Sequence, residues 1–429
     1  MHIELINTGQ ELLLGRVLNT HQQWICRQLA DLGYEVNRQI CVDDDGPAIQ
    51  AAVRESLGRS DLVLTTGGLG PTSDDLTREL IARLLGRELA LDQAILSGIE
   101  QYFMRRHGVM AASAKVQAMV PAGARILPNA WGTAPGLGIE VNPNPFRDGG
   151  GRSWVVLLPG PPREMRPMFT NSVAPLLLTE FPASANFFSR TLKTTGLGES
   201  LVEEEIVAPL QPLIARGLDL GYCARIGEVE VRLAARGDQA GKLVEEAEAI
   251  VRGLLRNLIF AVDDGTMEQT VVGMLTEQNK TLAVAESCTG GLIAHRLTNV
   301  PGASAILKCG LVTYSNEAKS DLLGVSAFAL AQDGAVSETV ARQMAEGARK
   351  RCNTDYAVSV TGIAGPGGGS EAKPVGTVFI ALADANGTVA KRRLNPFDRE
   401  TFKFVTSQQA LDLLRRRMIS EDLSGDPSR

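Results

Sequence analysis

Several features that mark whole classes of protein are missing from this chain of 429 residues. No dense block of lysine and arginine occurs, and the formal net charge is −6, so we expect no direct contact with nucleic acid. No apolar run approaches the ~20 residues that cross a bilayer, which argues against a membrane protein. The first residues also lack the cationic and apolar regions of a signal peptide, and we expect a cytoplasmic protein.

Cysteine and histidine are sparse and unpatterned. The six cysteines form no C-x-x-C pair, which favours free thiols in a reducing compartment. The four histidines lack the spacing of metal ligands, which argues against a histidine-based zinc site. These counts are compatible with a site in which carboxylates hold a divalent metal ion. At this length we expect two or three domains.

Strand and helix signals alternate in both halves of the chain, which predicts α/β domains with largely parallel sheets. We predict three-layer α/β domains over residues 1–174 and 265–418. Residues 175–262 read as a small α+β module that connects the two. In the first domain, we expect Asn19 or Thr20 to cap one helix. We expect Ser73 or Asp74, just after a glycine loop, to cap a second helix that runs to Leu85.

Polar residues follow three apolar strands in the last domain. Residues 281–285 read as a buried strand that ends at Ser287, and Gly290 and Gly291 then open a helix. Tyr314 and Lys319 follow the second strand, and a loop rich in glycine follows the third. Because the carboxyl ends of parallel strands meet at one edge of a sheet, we expect these residues to converge, near a helix N-terminus that favours anions.

These residue types suit nucleophilic catalysis by a serine without a histidine base. Ser287 needs a base to take its proton, and a lysine desolvated in a pocket, Lys319, can serve. Tyr314 can relay a proton or hold the substrate, and the N–H groups of the glycine loop can bind phosphate or an oxyanion. Taken singly, however, Ser287 or Thr289 would merely cap the helix, and Lys319 would be solvated. Cys288 is a rival nucleophile, since thiols are intrinsically stronger.

The order and length of five motifs make the likeness specific. Residues 265–416 resemble the CinA carboxy-terminal family, through residues 286–291 (Glu-Ser-Cys-Thr-Gly-Gly), 314–319 (Tyr-Ser-Asn-Glu-Ala-Lys), 334–337 (Gly-Ala-Val-Ser), 361–366 (Thr-Gly-Ile-Ala-Gly-Pro) and 373–378 (Lys-Pro-Val-Gly-Thr-Val). The resemblance implies hydrolysis of the carboxamide of nicotinamide mononucleotide, which gives nicotinate mononucleotide and ammonia without a cofactor.

The resemblance also implies roles for single residues. Ser287 would be the nucleophile and Lys319 its base, while Tyr314 and Thr361 would shape the site. The family carries an arginine in a Phe-x-Gly-Asp-Arg stretch, a natural phosphate ligand. Here Phe397 replaces that glycine before Asp398 and Arg399. The implied substrate-binding residues of this domain are therefore Thr289, Gly290, Gly362, Gly365 and Arg399.

A second glycine loop follows the apolar strand at residues 61–65 in the first domain. Gly67 and Gly68 would let a ligand approach the backbone, and the following helix N-terminus favours phosphate. Asp74 and Asp75 could hold a divalent metal that bridges the phosphate. Alternatively, both aspartates only complement the helix dipole.

This loop resembles that of molybdopterin-binding domains, and more fully the CinA amino-terminal family. Residues 8–15 and 158–165 add to the likeness, although Gln10 departs from the Ser, Asp or Asn usual there. The resemblance implies metal-dependent hydrolysis of ADP-ribose to AMP and ribose 5-phosphate. Asn19, Gly67, Gly68 and Glu164 would line that pocket, with Asp74 and Asp75 near a metal of unknown identity.

Two other classes of function stay open. The first domain could bind molybdopterin or a nucleotide without turnover, or the chain could act through a protein partner in DNA uptake or damage responses. We also expect a homodimer, formed through the middle module.

Overall fold

The structure is a computed structural model that describes residues 1–106, 108–182 and 186–419. The chain divides into two compact units, Met1–Phe188 and Ser189–Arg429. Across the described ranges, we find no helix with the length and apolar character that crossing a membrane requires.

The first unit alternates strands and helices. Its strands are β1 (Ile3–Thr8), β2 (Val36–Val42), β3 (Leu62–Thr66), β4 (Leu89–Leu91), β5 (Met119–Pro121), β6 (Arg125–Leu127), β7 (Gly136–Val141) and β8 (Ser153–Leu158). Its helices are α1 (Gln10–Leu13), α2 (Thr20–Asp31), α3 (Gly46–Leu57), α4 (Thr77–Leu84), α5 (Gln93–Arg105), α6 (Pro162–Met168) and α7 (Ala174–Glu180).

The main sheet of this unit has the order β2-β1-β3-β8-β7-β6. The first four strands are parallel, and β7 and β6 are antiparallel to their neighbours. Side chains of α2 and α6, such as Leu29 and Met165, fill the core on one face. Those of α3 and α4, such as Val53 and Ile81, fill the other. The predicted three-layer α/β architecture is confirmed here.

One helix start is predicted correctly and one wrongly. Asn19 caps α2, since its Oδ1 accepts the backbone N–H of Gln22 at 3.1 Å. Neither Ser73 nor Asp74 caps α4, which begins only at Thr77. The intervening residues form a turn instead, because the N–H of Thr77 donates to the carbonyl of Gly68 at 3.1 Å. The phosphate-binding helix start expected directly after Ser73 is therefore absent.

The second unit contains two sheets. Its strands are β9 (Phe187–Thr194), β10 (Asp219–Arg225), β11 (Glu228–Arg236), β12 (Ile259–Val262), β13 (Leu282–Glu286), β14 (Leu307–Val312), β15 (Tyr356–Gly362), β16 (Thr377–Asp384) and β17 (Gly387–Leu394). Its helices are α8 (Glu199–Ile214), α9 (Ala240–Leu255), α10 (Met267–Glu277), α11 (Leu292–Thr298), α12 (Asn316–Leu323), α13 (Ala327–Asp333), α14 (Glu338–Cys352) and α15 (Arg399–Ile419).

The smaller sheet, of order β10-β11-β9-β12, belongs to the middle module. The sequence pattern of this module predicts strands at residues 191–195 and 229–234 and helices at 199–210 and 241–255, but neither β10 nor β12. Much of β10 is exposed, so it shows no apolar alternation.

The larger sheet has the order β14-β13-β15-β16-β17, with the first three strands parallel and the last two antiparallel. Helices α10, α11 and α15 cover one face, and α12, α13 and α14 cover the other. The three-layer prediction is thus confirmed for this half as well. The predicted domain boundaries stay a prediction, since the middle module and the last domain fall within one compact unit.

The expectation of free thiols is wrong for one pair of cysteines. Cys309 on β14 and Cys352 at the end of α14 are joined by a disulfide across 43 residues of sequence. The packing of α14 beside the sheet brings these two cysteines together. Because they lie far apart in the sequence, no short cysteine spacing indicates the pair. Cys26, Cys41, Cys223 and Cys288 are free thiols, as expected.

Helix α14 packs so closely on the end of α12 that only glycine fits at position 347. A Cβ on Gly347 would lie 1.8 Å from the carbonyl oxygen of Leu323. We therefore predict that Gly347→Ala lowers stability by about 1–3 kcal/mol, as other overpacked cores do. The free energy of unfolding of the second unit, followed by urea denaturation, measures this.

Gly253 in α9 provides the matched control, because a Cβ there would meet nothing within 4 Å. Gly253→Ala should raise stability by about 0.5–1 kcal/mol through helix propensity. Equal effects of the two substitutions would contradict the packing described.

Candidate active sites

Two strand ends of the last domain meet around one lysine. Ser287 follows β13, Thr313 and Tyr314 follow β14, and Lys319 lies in the first turns of α12. The Lys319 Nζ lies 3.1 Å from the Ser287 Oγ, 2.9 Å from the Thr313 carbonyl oxygen and 3.3 Å from that of Tyr314. The structure thus brings Ser287 and Lys319 into direct contact.

The environment of Lys319 favours its neutral form. Only 1% of the side chain is exposed. Burial lowers the pKa of the amine, and this outweighs the opposing effects of Cys288 and Glu317. A neutral amine keeps two N–H donors, which the carbonyls of Thr313 and Tyr314 can accept. Its lone pair is then available to the Ser287 hydroxyl proton, which is the arrangement of a general base.

The rival nucleophile is poorly placed for catalysis. Cys288 is buried, and this burial raises the pKa of its thiol to about 12. Since the thiolate is the reactive form of cysteine, the side chain is almost wholly unreactive near neutral pH. In addition, the hydrogen bond with the Lys319 amine is made by the Ser287 hydroxyl.

A buried glutamate, for which the sequence motifs indicate no separate role, shapes the turn after β13. The carboxylate of Glu286 accepts the N–H groups of Gly291, Ile293 and Ala294 at 2.9–3.1 Å and the hydroxyl of Thr289 at 2.6 Å. The capping roles considered for Ser287 and Thr289 are therefore wrong, since Glu286 satisfies the start of α11. The acidic group bound at the N-terminus of α11 is therefore the side chain of Glu286 itself.

This cap leaves the Ser287 side chain free for chemistry. Gly290 closes the turn, with its N–H donating to the carbonyl of Ser287 at 3.1 Å and a positive φ of 63°. An acidic residue at the end of a buried strand, followed by a short polar turn and the glycine pair 290–291 before a helix, is the sequence signal that could have identified Glu286.

The remaining predicted residues form two groups. One lies at the exposed rim of the site, and the other supports the loops around it. At the rim, the exposed Arg399 donates to the Tyr314 Oη at 2.7 Å and to the Gly365 carbonyl at 2.9 Å. The Thr361 hydroxyl donates instead to the carbonyl of Ala335 at 2.7 Å, so it supports a neighbouring loop. Gly362 ends β15, where a Cβ would lie 2.9 Å from the Thr377 carbonyl oxygen.

The first unit holds a cavity of about 540 Å³ beside the Gly67–Gly68 loop. Its lining includes every residue predicted for that domain, namely Asn19, Gly67, Gly68, Asp74, Asp75 and Glu164. The two glycines are needed for close packing, because a Cβ on Gly67 would lie 2.5 Å from the Thr8 Oγ1. One on Gly68 would lie 2.0 Å from the Thr77 Oγ1.

The two aspartates differ in their exposure. Asp75 Oδ2 accepts the backbone N–H of Thr72 at 3.0 Å and its hydroxyl at 2.5 Å, so it holds the loop. Asp74 is exposed. Asp44 lines the same cavity, and burial, with the nearby Glu11, Asp43 and Asp74, raises its pKa.

No three carboxylate, imidazole or thiol side chains of the described ranges are placed to hold a metal ion together. Asp44 and Asp74 fit a different mode, in which one or two carboxylates and substrate phosphates share a magnesium ion. The residues present are therefore compatible with a metal that arrives with a diphosphate.

Two further side chains of this cavity are held in place by the protein. Glu164 is buried and accepts the Asn129 amide at 2.9 Å. His21, which the sequence analysis leaves without a role, bonds through Nε2 to the Gly160 carbonyl, and burial lowers its pKa. A neutral imidazole with Nε2 as the donor keeps Nδ1 as an acceptor in the cavity wall.

Comparison with known proteins gives three family matches along the chain. They are a probable molybdopterin binding domain over residues 4–179, the damage-inducible protein CinA KH domain over residues 189–261, and the CinA C-terminal domain over residues 264–418.

Similar proteins span nearly the whole chain. A putative competence-damage inducible protein from Caldicellulosiruptor bescii is 44% identical over 98% of this chain and 100% of its own length. A CinA-like protein from Akkermansia muciniphila is 43% identical over 98% and 99%. Among solved structures, the competence/damage inducible protein CihA from Agrobacterium tumefaciens is 42% identical, covering 36% of this chain and 94% of that one, with a TM-score of 0.35.

The burial of Cys288 leads to a labelling prediction. At pH 7.5, iodoacetamide should modify the exposed Cys223 readily and leave Cys288 unmodified until the protein is unfolded. Peptide mass spectrometry after timed quenching measures both rates in one sample. Labelling of Cys288 at a rate similar to that of Cys223 in the folded protein would contradict the environment described.

Proposed function

The chain belongs to the CinA family, and we propose that its last domain hydrolyses the carboxamide of nicotinamide mononucleotide. The observation that supports this most strongly is the buried contact of 3.1 Å between the Lys319 amine and the Ser287 hydroxyl. A serine beside a desolvated lysine is an activated nucleophile for acyl transfer.

The proposed reaction has two steps. Lys319 takes the Ser287 proton as the Oγ attacks the carboxamide carbon, and the resulting tetrahedral intermediate expels ammonia, which receives that proton. The product is an ester between Ser287 and the nicotinoyl group. Water, deprotonated by Lys319, then hydrolyses this ester to nicotinate mononucleotide and restores the serine. These groups and water account for both steps without a cofactor.

Arg399 is proposed to bind the substrate phosphate. Its guanidinium lies at the rim between Tyr314 and Gly365, two residues of the loops that follow β14 and β15. A planar guanidinium suits a phosphate because it can donate two parallel hydrogen bonds. Phosphate binding there would direct the pyridine ring of the substrate toward Ser287.

Replacement of either member of the pair should abolish activity. We expect Ser287→Ala and Lys319→Ala to reduce ammonia release from nicotinamide mononucleotide by about 10³-fold or more, as with other essential nucleophiles and bases. Lys319→Arg should be equally inactive, because a guanidinium does not lose its proton. Lys308→Ala, at an exposed lysine of β14, is the control and should retain full activity. Activity in a folded Ser287→Ala protein would refute the proposal.

The lowered pKa of Lys319 fixes the direction of the pH dependence. The rate should rise with pH as the neutral amine accumulates, and level off at a pH below the ordinary lysine value of 10.5. The pH profile of kcat/KM for wild type measures this limb. A rate that falls as pH increases from 6 to 9 would contradict a lysine base.

A second activity is proposed for the first domain, the hydrolysis of ADP-ribose to AMP and ribose 5-phosphate. It is favoured by the cavity of about 540 Å³ in which Asn19, the two glycines and Glu164 lie together. Asp44 and Asp74 would hold a divalent metal there, and such an ion would neutralise the charge of the diphosphate. Asp75 would keep the loop in shape through Thr72.

Because Asp74 is exposed, a substitution there tests its proposed role in ADP-ribose hydrolysis. Asp74→Asn should reduce ADP-ribose hydrolysis by about 10²-fold or more while leaving the thermal midpoint nearly unchanged, because its side chain is exposed. Asp148→Asn, at an exposed aspartate outside the cavity, is the control. Unchanged hydrolysis in Asp74→Asn would remove the aspartate from the mechanism.

Two alternatives make different predictions. A domain that only binds a nucleotide or molybdopterin would be stabilised thermally by the ligand and release no product. A role through a protein partner in competence would survive Ser287→Ala. The homodimer also stays a proposal, which sedimentation of the purified chain would measure.

A further inference from the structure

The disulfide between Cys309 and Cys352 joins two elements that lead to the proposed amidase site. Cys309 belongs to β14, the strand that Thr313 and Tyr314 follow, and Cys352 is the last residue of α14. Both cysteines are half-buried and pack at the border of a hydrophobic cluster, so the bond is not enclosed in the core. Its position raises the question of what the bond holds in place.

The pairing of β14 with the rest of the sheet is irregular close to this bond. β14 is the edge strand of the larger sheet, with β13 as its neighbour. Leu282 faces Leu307, whereas the next residue of β13, Ala283, faces Cys309, so the register shifts between them. A shift of this kind interrupts the ladder of hydrogen bonds. The disulfide therefore fastens β14 beside the irregular part of its pairing.

The other end of the bond lies where α14 packs against α12, the helix of Lys319. Arg351, the neighbour of Cys352, donates from Nη1 to the Leu322 carbonyl at 3.3 Å. Leu322 and Leu323 end α12, and both pack in the same hydrophobic cluster as the two cysteines. Lys319 lies one helical turn earlier. A displacement of the end of α14 would therefore act on the helix that carries the lysine.

The contacts that orient the amine join the same elements. Lys319 comes from α12, while its acceptors, the carbonyls of Thr313 and Tyr314, come from the residues after β14. The position of the Nζ relative to Ser287 thus depends on how β14 and α12 are held together. The disulfide ties β14 to α14, and α14 packs on α12, so the bond closes this ring of elements.

We propose that Cys309 and Cys352 form a reversible redox site that controls the geometry of the Ser287–Lys319 pair. With the bond closed, β14 and α12 keep the spacing that places the amine 3.1 Å from the serine hydroxyl. With the bond open, α14 no longer fastens β14, and this contact loosens. The effect on turnover rests on the proposed amidase function, whereas the thiol chemistry does not.

The chemistry is thiol–disulfide exchange with a small thiol such as glutathione. Its thiolate attacks one sulfur of the protein disulfide, and the other cysteine leaves as a thiolate that takes up a proton. A second glutathione thiolate then attacks the mixed disulfide and releases the remaining cysteine. Two electrons pass to the protein, which gains two thiols, and two glutathione molecules become one disulfide. Lys350 and Arg351, two exposed cations beside Cys352, would attract the anionic glutathione.

The full chain, equilibrated with reduced or oxidised glutathione and then freed of it, tests the proposal. Alkylation with iodoacetamide after unfolding, followed by peptide mass spectrometry, should label Cys309 and Cys352 in the reduced protein alone. The kcat/KM for ammonia release from nicotinamide mononucleotide should be at least about threefold lower in the reduced protein, because misplacement of a catalytic group slows the reaction. Oxidised glutathione should restore both the bond and the rate.

Serine variants locate the effect. Cys309→Ser and Cys352→Ser cannot form the bond, so each should keep the rate of the reduced protein under both conditions. Cys223→Ser, which removes an exposed free thiol of β10, is the matched control and should respond as wild type does. A rate that still changes with glutathione in Cys309→Ser would place the effect at another thiol and overturn the proposal. Failure of oxidised glutathione to close the pair would overturn it as well.

Hydrogen exchange separates this inference from the proposed amidase activity, because it requires no turnover. The backbone amides of residues 313–323 should exchange faster in the reduced than in the oxidised protein, since local opening becomes easier. If exchange changes in this way but neither form releases ammonia, the redox coupling stands and the amidase proposal fails. If neither exchange nor rate differs between fully oxidised and fully reduced protein, the redox inference is wrong.

Discussion

The burial of one amine organises the last domain. Lys319 lies beneath the ends of β13 and β14, and its Nζ reaches both the Ser287 hydroxyl and the carbonyls of Thr313 and Tyr314. An ammonium ion loses hydration there, so the same burial that packs the domain also weakens the hold of the lysine on its proton. Packing and reactivity therefore have a common origin.

A second buried group keeps the Ser287 side chain available for the base role proposed for that amine. Glu286 occupies the start of α11 with its own carboxylate and so takes the capping role that Ser287 or Thr289 would otherwise fill. A charge-assisted cap of this kind is stable because several donors compensate for the loss of water. The strand, turn and helix together form a rigid base for Ser287, the proposed nucleophile.

The sequence predicts the two α/β halves well because both sheets are built from buried apolar strands separated by helices. It also predicts that Ser287 and Lys319 lie near each other, since both follow neighbouring parallel strands. The prediction misses the helix-capping contacts of Glu286, and it could not give the pairing of Cys309 with Cys352 or the start of α4. Each of these depends on contacts between elements, or on a turn closed by Gly68, which local patterns do not reveal.

The most direct measurement is a search for the covalent intermediate. Wild type mixed with nicotinamide mononucleotide, quenched in acid within milliseconds and digested, should yield a peptide that carries the nicotinoyl nucleotide as an ester on Ser287. The account predicts this adduct in wild type and its absence in Ser287→Ala. Turnover accompanied by an adduct on Cys288 would contradict it, as would the same adduct in Ser287→Ala.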